Sequence, residues 1–168
     1  MTVEQLSNVL LEWIVRAAGL FWLVGALMLF RQIRSEMVLD GMTASLQKAT
    51  RDLAADLGQP PPTQPTATDK WIDRDDRARR GWIAGQAVVL AATALAMLML
   101  HPFASWMAAL LVIGQGAYFF WREHTSRHAP TPEAAVHAKP SQATVNAGWV
   151  SLAVALLVWL AAFRGLLR

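Results

Sequence analysis

Residues 81–121 contain two long apolar runs joined by two residues: GWIAGQAVVLAATALAMLML (81–100), His101-Pro102, and FASWMAALLVIGQGAYFFW (103–121). Each run of about 20 residues is long enough to cross the roughly 30 Å hydrocarbon core of a bilayer at about 1.5 Å per residue. A join of two residues brings the second run back beside the first. The stretch therefore predicts a tight antiparallel transmembrane hairpin.

Two further apolar runs, residues 9–30 and 145–163, flank the hairpin at a distance. The chain is therefore predicted to be an all-α membrane protein with four transmembrane helices in a single membrane domain of 168 residues. Its 55% apolar residues arrive in blocks, which is typical of membrane proteins. The chain has no cysteine, which excludes disulfides, thiolate metal sites and iron–sulfur clusters.

Residues 31–80 form a polar segment that we interpret as a cytoplasmic loop in three parts. The first is an amphipathic helix over 42–57, with Gly58 as its left-handed C-terminal cap. The second is a Pro/Thr/Gln linker over 59–68, and the third is a charged helical stem over 70–80 that leads into the second span. Three acid-first i, i+4 pairs support the stem: Asp73–Arg77, Asp75–Arg79 and Asp76–Arg80.

The helix over 42–57 has a thin apolar stripe and no aromatic residue, so it is a poor candidate for binding a membrane surface. The stripe repeats at three- and four-residue spacing: Met42, Leu46, Ala49, Leu53 and Leu57. Two interpretations remain. The helix packs loosely on its own protein, or it docks onto a partner.

Glu12 and Arg16 lie inside the first apolar run at i, i+4 with the acid first, an order that favours pairing. Because charges inside a membrane are costly and often functional, one interpretation is a proton or substrate site. The other interpretation depends on how far into the membrane Arg16 lies. Residues 17–30 are uncharged and cover about 21 Å, so Arg16 can extend to the outer interface with Glu12 further out. We favour the second interpretation because it removes most of the cost of burial.

Most lysines and arginines fall in residues 31–80 and in a second loop over 122–143. By the positive-inside rule both loops are cytoplasmic and both termini lie outside. An excess of arginine over lysine, with abundant alanine, suggests a GC-rich bacterial source and hence the inner membrane. The concentration of basic residues in these two loops is explained better by membrane topology than by nucleic-acid binding.

The hairpin also has a predicted register. Folding it about His101 places Gln86 opposite Gln115, where their amides can bond across the helix interface. Ser151 reaches a similar depth in the fourth span, and small-residue stripes such as Gly81-x-x-x-Gly85 predict close packing of spans two, three and four. Trp22 lies in mid-span, where we expect it to pack against another helix.

His124 and His128, at i, i+4, are candidate metal ligands on one helix face. No third ligand stands at a fixed spacing, so solvated histidines are the favoured interpretation, and no metal or cofactor is expected.

The function predicted from these features is a non-catalytic accessory or scaffold subunit that packs against, and stabilises or regulates, a larger membrane complex. The alternative is a small homo-oligomeric transporter or channel that uses Glu12 and Arg16. Catalysis is not expected, because the sequence shows no nucleophile–base, phosphate-binding or metal motif.

Overall fold

The computed structural model describes residues 3–58 and 65–168, and all the regular structure in these ranges is helical. Four of its segments are long and apolar enough to span a membrane, which confirms the all-α prediction at that level. The fourth of these segments, Pro132–Phe163, covers the last two helices. The helices are α1 (Val3–Asp56), α2 (Ala67–Leu98), α3 (Phe103–Arg127), α4 (Pro132–Ala138) and α5 (Gln142–Phe163).

The long helices form a closed four-membered bundle. α1 packs on α2, α2 on α3, α3 on α5, and α5 returns to α1. Neighbours run antiparallel: the Trp159 indole N–H donates to the Ser105 carbonyl across α5 and α3 at 3.1 Å, for example. The core includes Val15, Trp22, Met97, Leu111 and Val158. The first span therefore packs on α2 and α5, and Trp22 is buried as predicted.

α1 runs unbroken through residues 31–41, so the predicted loop before a separate helix over 42–57 is wrong. Nothing in these residues stops a helix that has already formed. They contain no proline, the Gln32 amide donates to Glu36 at 3.0 Å, and Gly41 alone costs only about 1 kcal/mol relative to alanine. α1 is consequently about 80 Å long. Gly58, at φ +62°, terminates it in the predicted left-handed conformation.

α2 begins at a capping box rather than at the predicted stem near residue 70. The Asp69 backbone N–H donates to the Thr66 hydroxyl at 3.1 Å, and the Thr66 N–H donates to the Asp69 carboxylate at 2.8 Å. The Thr66 hydroxyl, which donates to the Asp69 carboxylate at 2.7 Å, and then the Thr66 backbone N–H lower the pKa of Asp69 below its ordinary value. Of the predicted linker over 59–68, residues 59–64 lie outside the described residues.

The turn between α2 and α3 is as tight as expected. α2 ends at Leu98, and Leu100 adopts φ +53°, a left-handed conformation unusual for leucine. The C-terminal segment supports this turn, because the Arg168 backbone N–H donates to the Leu100 carbonyl at 2.7 Å.

The predicted loop over 122–143 is largely helical. α3 continues past residue 121 to Arg127, and α4 occupies Pro132–Ala138 with Thr131 as its N-cap. We call residues 31–56 of α1 its projecting half. This half, residues 67–80 of α2, residues 122–127 of α3 and the whole of α4 together form what we call the polar end of the bundle.

Close helix approach depends on glycines other than the predicted stripe. A Cβ at Gly19 would lie 3.0 Å from the Ala94 carbonyl oxygen, and one at Gly148 would lie 2.9 Å from the Phe119 ring. Gly81 and Gly85 meet nothing within 4 Å. The expectation that these two glycines allow helices to approach is therefore wrong, because both are exposed and no described atom of another helix comes close to them.

Candidate functional site

A buried ion pair joins α2 to α3 at the polar end. Arg122 Nη1 donates to both carboxylate oxygens of Asp75, at 2.8 and 2.9 Å. The side chains are 1% and 4% exposed. Arg122 is the first charged residue after the apolar part of α3, and its guanidinium also lies 5.4 Å from the centre of the Trp121 ring. Removing either partner would leave a buried charge without compensation.

α4 closes over this ion pair. Arg122 Nη2 donates to the His137 carbonyl at 3.0 Å, and the Ser126 hydroxyl donates to the Ala135 carbonyl at 3.0 Å. The His137 ring lies 3.0 Å from the Asp76 carboxylate, which also pairs with Arg79 at 3.0 Å. The short helix α4 is therefore held against α2 and α3 by polar contacts.

Two of the three predicted ion pairs of the stem are wrong. Asp73–Arg77 forms at 2.9 Å, as predicted. Asp75 instead reaches across to Arg122, while Asp76 pairs with Arg79. Arg80 pairs with Asp40 of α1, which raises the pKa of Arg80 further above its ordinary value. The i, i+4 rule fails for Asp75 because the buried guanidinium of Arg122 on α3 competes better than an exposed partner on α2. It fails for Arg80 because Asp40 of α1 lies within reach, and Asp76 pairs at i, i+3 instead.

An aromatic cluster adjoins the ion pair through Trp121, whose ring lies beside the Arg122 guanidinium. The Trp82 ring stacks on Trp121 with centroids 6.2 Å apart, and Tyr118 contacts both rings. The indole N–H of Trp82 is buried without a partner among the described residues.

A cavity of about 270 Å³ opens beside the network, between α2 and α3. Two indole rings, one guanidinium and one hydroxyl contribute to its wall. It is lined by Trp71, Arg74, Asp75, Ala78, Trp121 and Thr125.

Asp75, Asp76 and His137 present ligand atoms within 4.8 Å of one another, a spacing compatible with a metal ion. Both carboxylates are already bonded to arginine, and Asp75 is held through both of its oxygens. A cation at this position would have to displace a guanidinium. The cluster is therefore better described as an ion-pair network than as a metal centre.

Glu12 and Arg16 do not form a pair. Arg16 is exposed and Glu12 half-buried, and neither makes an ion pair in the described ranges. The geometry that the sequence favours at i, i+4 is thus not adopted.

The predicted amide layer forms with different partners. Gln86 packs onto Gly114, where an added Cβ would overlap its amide. Gln115 donates to the Ser151 hydroxyl at 2.9 Å, joining α3 to α5. The predicted Gln86–Gln115 hydrogen bond is not formed, and the Gln86 oxygen is buried without a partner among the described residues. The Gln86 amide instead occupies the space that the missing side chain of Gly114 leaves, while the Gln115 amide donates to Ser151.

His124 and His128 share a face of α3, as their spacing predicts. Their ring centroids lie 4.2 Å apart, and His128 Nδ1 is 2.8 Å from the His124 carbonyl. Both residues are exposed.

Sequence reasoning missed Asp75, Arg122 and His137 as the residues that hold the polar end together. A signal existed for Arg122. Counting outward from His101, as for Gln86 and Gln115, places Arg122 beside the charged stem of α2. No comparable signal places the α4 backbone on Arg122, because α4 follows an irregular turn.

No protein-family model, curated protein or solved structure matches this chain.

Proposed function

We propose that this chain is a non-catalytic subunit of a membrane complex, and that the projecting half of α1 binds a larger partner protein. Insertion in the membrane is supported by the four apolar segments, whose outward faces carry large exposed side chains such as Phe21, Met28, Trp106 and Phe120. Lipid covers such faces without further partners.

The proposed orientation places the polar end in the cytoplasm of a bacterium and both termini outside the inner membrane. Its support is the concentration of lysine and arginine at the polar end.

The observation that carries the proposal is that the apolar stripe on the projecting half of α1 faces away from α2. Asp40 faces α2, where it pairs with Arg80. At about 100° per residue, the stripe lies roughly 100–160° around the helix from Asp40. Leu39 extends the stripe by one residue position on the same face, and the large side chains of the stripe are 57–67% exposed: Leu39, Met42, Leu46, Leu53 and Leu57. α1 therefore turns a polar face inward and an apolar face outward.

Lipid cannot cover this stripe in the proposed orientation. Arg31 is the first charged residue after the apolar run, and Leu46 lies about 22 Å further along the helix. The headgroup layer on one side of a bilayer is only about 5–8 Å thick. A row of apolar side chains in water is typical of a protein-binding surface, and its helical spacing fits a partner helix.

The stripe also continues the outward face of α1 within the apolar run, which includes Phe21, Val24 and Met28. A partner that contacts both parts must itself have a membrane-spanning and a cytoplasmic portion. This continuity favours a larger membrane protein over a soluble one.

The test compares Leu46→Glu with Gln47→Glu. Both positions are exposed and differ by one residue, but Gln47 lies on the Asp40 side of α1. The tagged chain is purified from its native membrane in mild detergent, and a photoreactive amino acid is placed at each position in parallel. We expect a stoichiometric partner with the wild type and with Gln47→Glu, its loss with Leu46→Glu, and crosslinking from position 46 alone.

A solitary chain in several mild detergents, or equal crosslinking from both positions, would contradict the proposal. A crosslink only to a second copy of this chain would replace the larger partner with a homo-oligomer. An unchanged thermal stability of Leu46→Glu separates loss of binding from loss of folding.

A further inference from the structure

The cavity between α2 and α3 has an excess of positive charge. Arg74 lines it and makes no ion pair in the part of the chain that the structure describes. Asp75 also contributes to the wall, but its carboxylate is held by Arg122 through both oxygens. The remaining uncompensated charge is the guanidinium of Arg74, a group well suited to phosphate oxygens.

A hydroxyl-bearing residue also lines the cavity. Thr125 can donate a hydrogen bond, and together with the guanidinium of Arg74 it favours a ligand rich in acceptor oxygens.

The position of the cavity suggests the source of such a ligand. Trp121 ends the apolar part of α3, and Trp71 lies about 15 Å before Gly81 along α2. In the proposed orientation, the cavity starts at the hydrocarbon boundary and extends through the headgroup layer, about 5–8 Å thick, into the water beyond it. The Trp121 indole therefore lies where indole rings are preferred, and Trp71 lies outside the headgroup layer.

We infer that this cavity binds the phosphate group of an acidic phospholipid of the cytoplasmic leaflet, with Arg74 as its principal contact. Trp121 lies on the hydrocarbon side of the phosphate and Trp71 on the aqueous side, and the lining residue Asp75 has its charge compensated by Arg122. The inference rests on the membrane insertion proposed above and is independent of the proposed partner protein.

The experiment titrates the purified detergent-solubilised chain with phosphatidylglycerol, phosphatidylcholine, glycerol 3-phosphate and inorganic phosphate. Bound lipid is counted by native mass spectrometry and affinity is followed by thermal shift. The matched variants are Arg74→Gln and Arg77→Gln. They remove the same charge from the same stem, but Arg77 is paired with Asp73 and does not line the cavity.

We expect saturable binding of phosphatidylglycerol that Arg74→Gln weakens about tenfold or more and Arg77→Gln leaves within about twofold, since a hydrogen bond to a charged group typically contributes a factor of this size. Phosphatidylcholine should bind more weakly, because its ammonium group meets the free guanidinium. Equal effects of the two variants, or no preference for the acidic lipid, would overturn the inference.

Tight binding of inorganic phosphate or glycerol 3-phosphate with no gain from the acyl chains would identify a soluble phosphate ligand and overturn the lipid assignment. Failure of the chain to associate with liposomes would instead contradict membrane insertion. A missing partner protein affects neither readout, because the titration uses the isolated chain.

Discussion

Arg122 is the residue on which the polar end depends most. It compensates Asp75, holds the α4 backbone and packs on Trp121. Two of its three guanidinium nitrogens are bonded, while Nε has no partner among the described residues. The attraction within a buried ion pair adds little net stability, because both charges lose their water. Removing one member is nevertheless costly, since the other charge then stays buried without a partner.

Arg122→Met should therefore destabilise the protein by about 3–5 kcal/mol, because it leaves the Asp75 charge buried without a partner. The double variant Arg122→Met, Asp75→Leu removes both charges and should recover a large part of that loss. The free energy of unfolding in detergent is the measurement, with Arg127→Met as the control at an exposed ion pair of the same helix. A double variant as unstable as Arg122→Met would show that packing and the His137 contact dominate.

At the scale of the element, α1 and α2 form one long antiparallel pair whose contacts change character along its length. Within the apolar run the contact is a close approach of backbones at Gly19. At the polar end it is the ion pair Asp40–Arg80, and beyond it the inward face of α1 is polar and exposed. This change leaves the apolar stripe of α1 free on the outside.

Gly19→Ala should destabilise the α1–α2 contact by about 1–3 kcal/mol, since its Cβ would lie 3.0 Å from the Ala94 carbonyl oxygen and from Met97 Cβ. Backbone atoms cannot rotate away, so the helices must separate. Gly25→Ala is the matched control, because the nearest atom to its Cβ in the described part of the chain is Leu90 Cδ2, at 4.0 Å. It should be neutral or slightly stabilising, as alanine favours the helix. Thermal unfolding of both variants in the same detergent checks the prediction, and equal losses would contradict it.

For the whole molecule, the closed ring of α1, α2, α3 and α5 divides the chain into a mostly apolar bundle and a polar end made from parts of four helices. Both proposals place function at the polar end, on two separate surfaces. The α1 stripe is the surface for a protein, and the cavity between α2 and α3 is the surface for a lipid headgroup.

The proposed topology can be checked directly, because the chain has no cysteine of its own. Ser7→Cys and Ser45→Cys replace exposed residues on α1, one near the N-terminus and one in the projecting half. A membrane-impermeant thiol reagent added to spheroplasts should label position 7, and position 45 only after the membrane is permeabilised. The reverse pattern would invert the orientation, and labelling of both in intact spheroplasts would contradict a membrane-spanning α1.

Sequence by itself determined the helical class, the four long apolar segments, the tight join at His101-Pro102 and the left-handed end at Gly58. These features follow from local properties: the length of an apolar run, the reach of two residues, and the freedom of glycine at positive φ. The unbroken course of α1 through residues 31–41 was also predictable in principle, since the segment has no helix breaker.

Tertiary structure alone decided which polar groups pair. Asp75 and Arg79 satisfy the i, i+4 rule, yet Asp75 pairs with Arg122, and Gln115 pairs with Ser151 rather than with Gln86. Such choices depend on which groups lose water when helices pack, and on small residues such as Gly114 that set how near the helices come. The spacing of residues along the sequence does not tell which groups lose water or how close two helices come. The outward direction of the apolar stripe on α1 also depends on a contact between helices, because the pairing of Asp40 with Arg80 turns the opposite face of α1 towards α2.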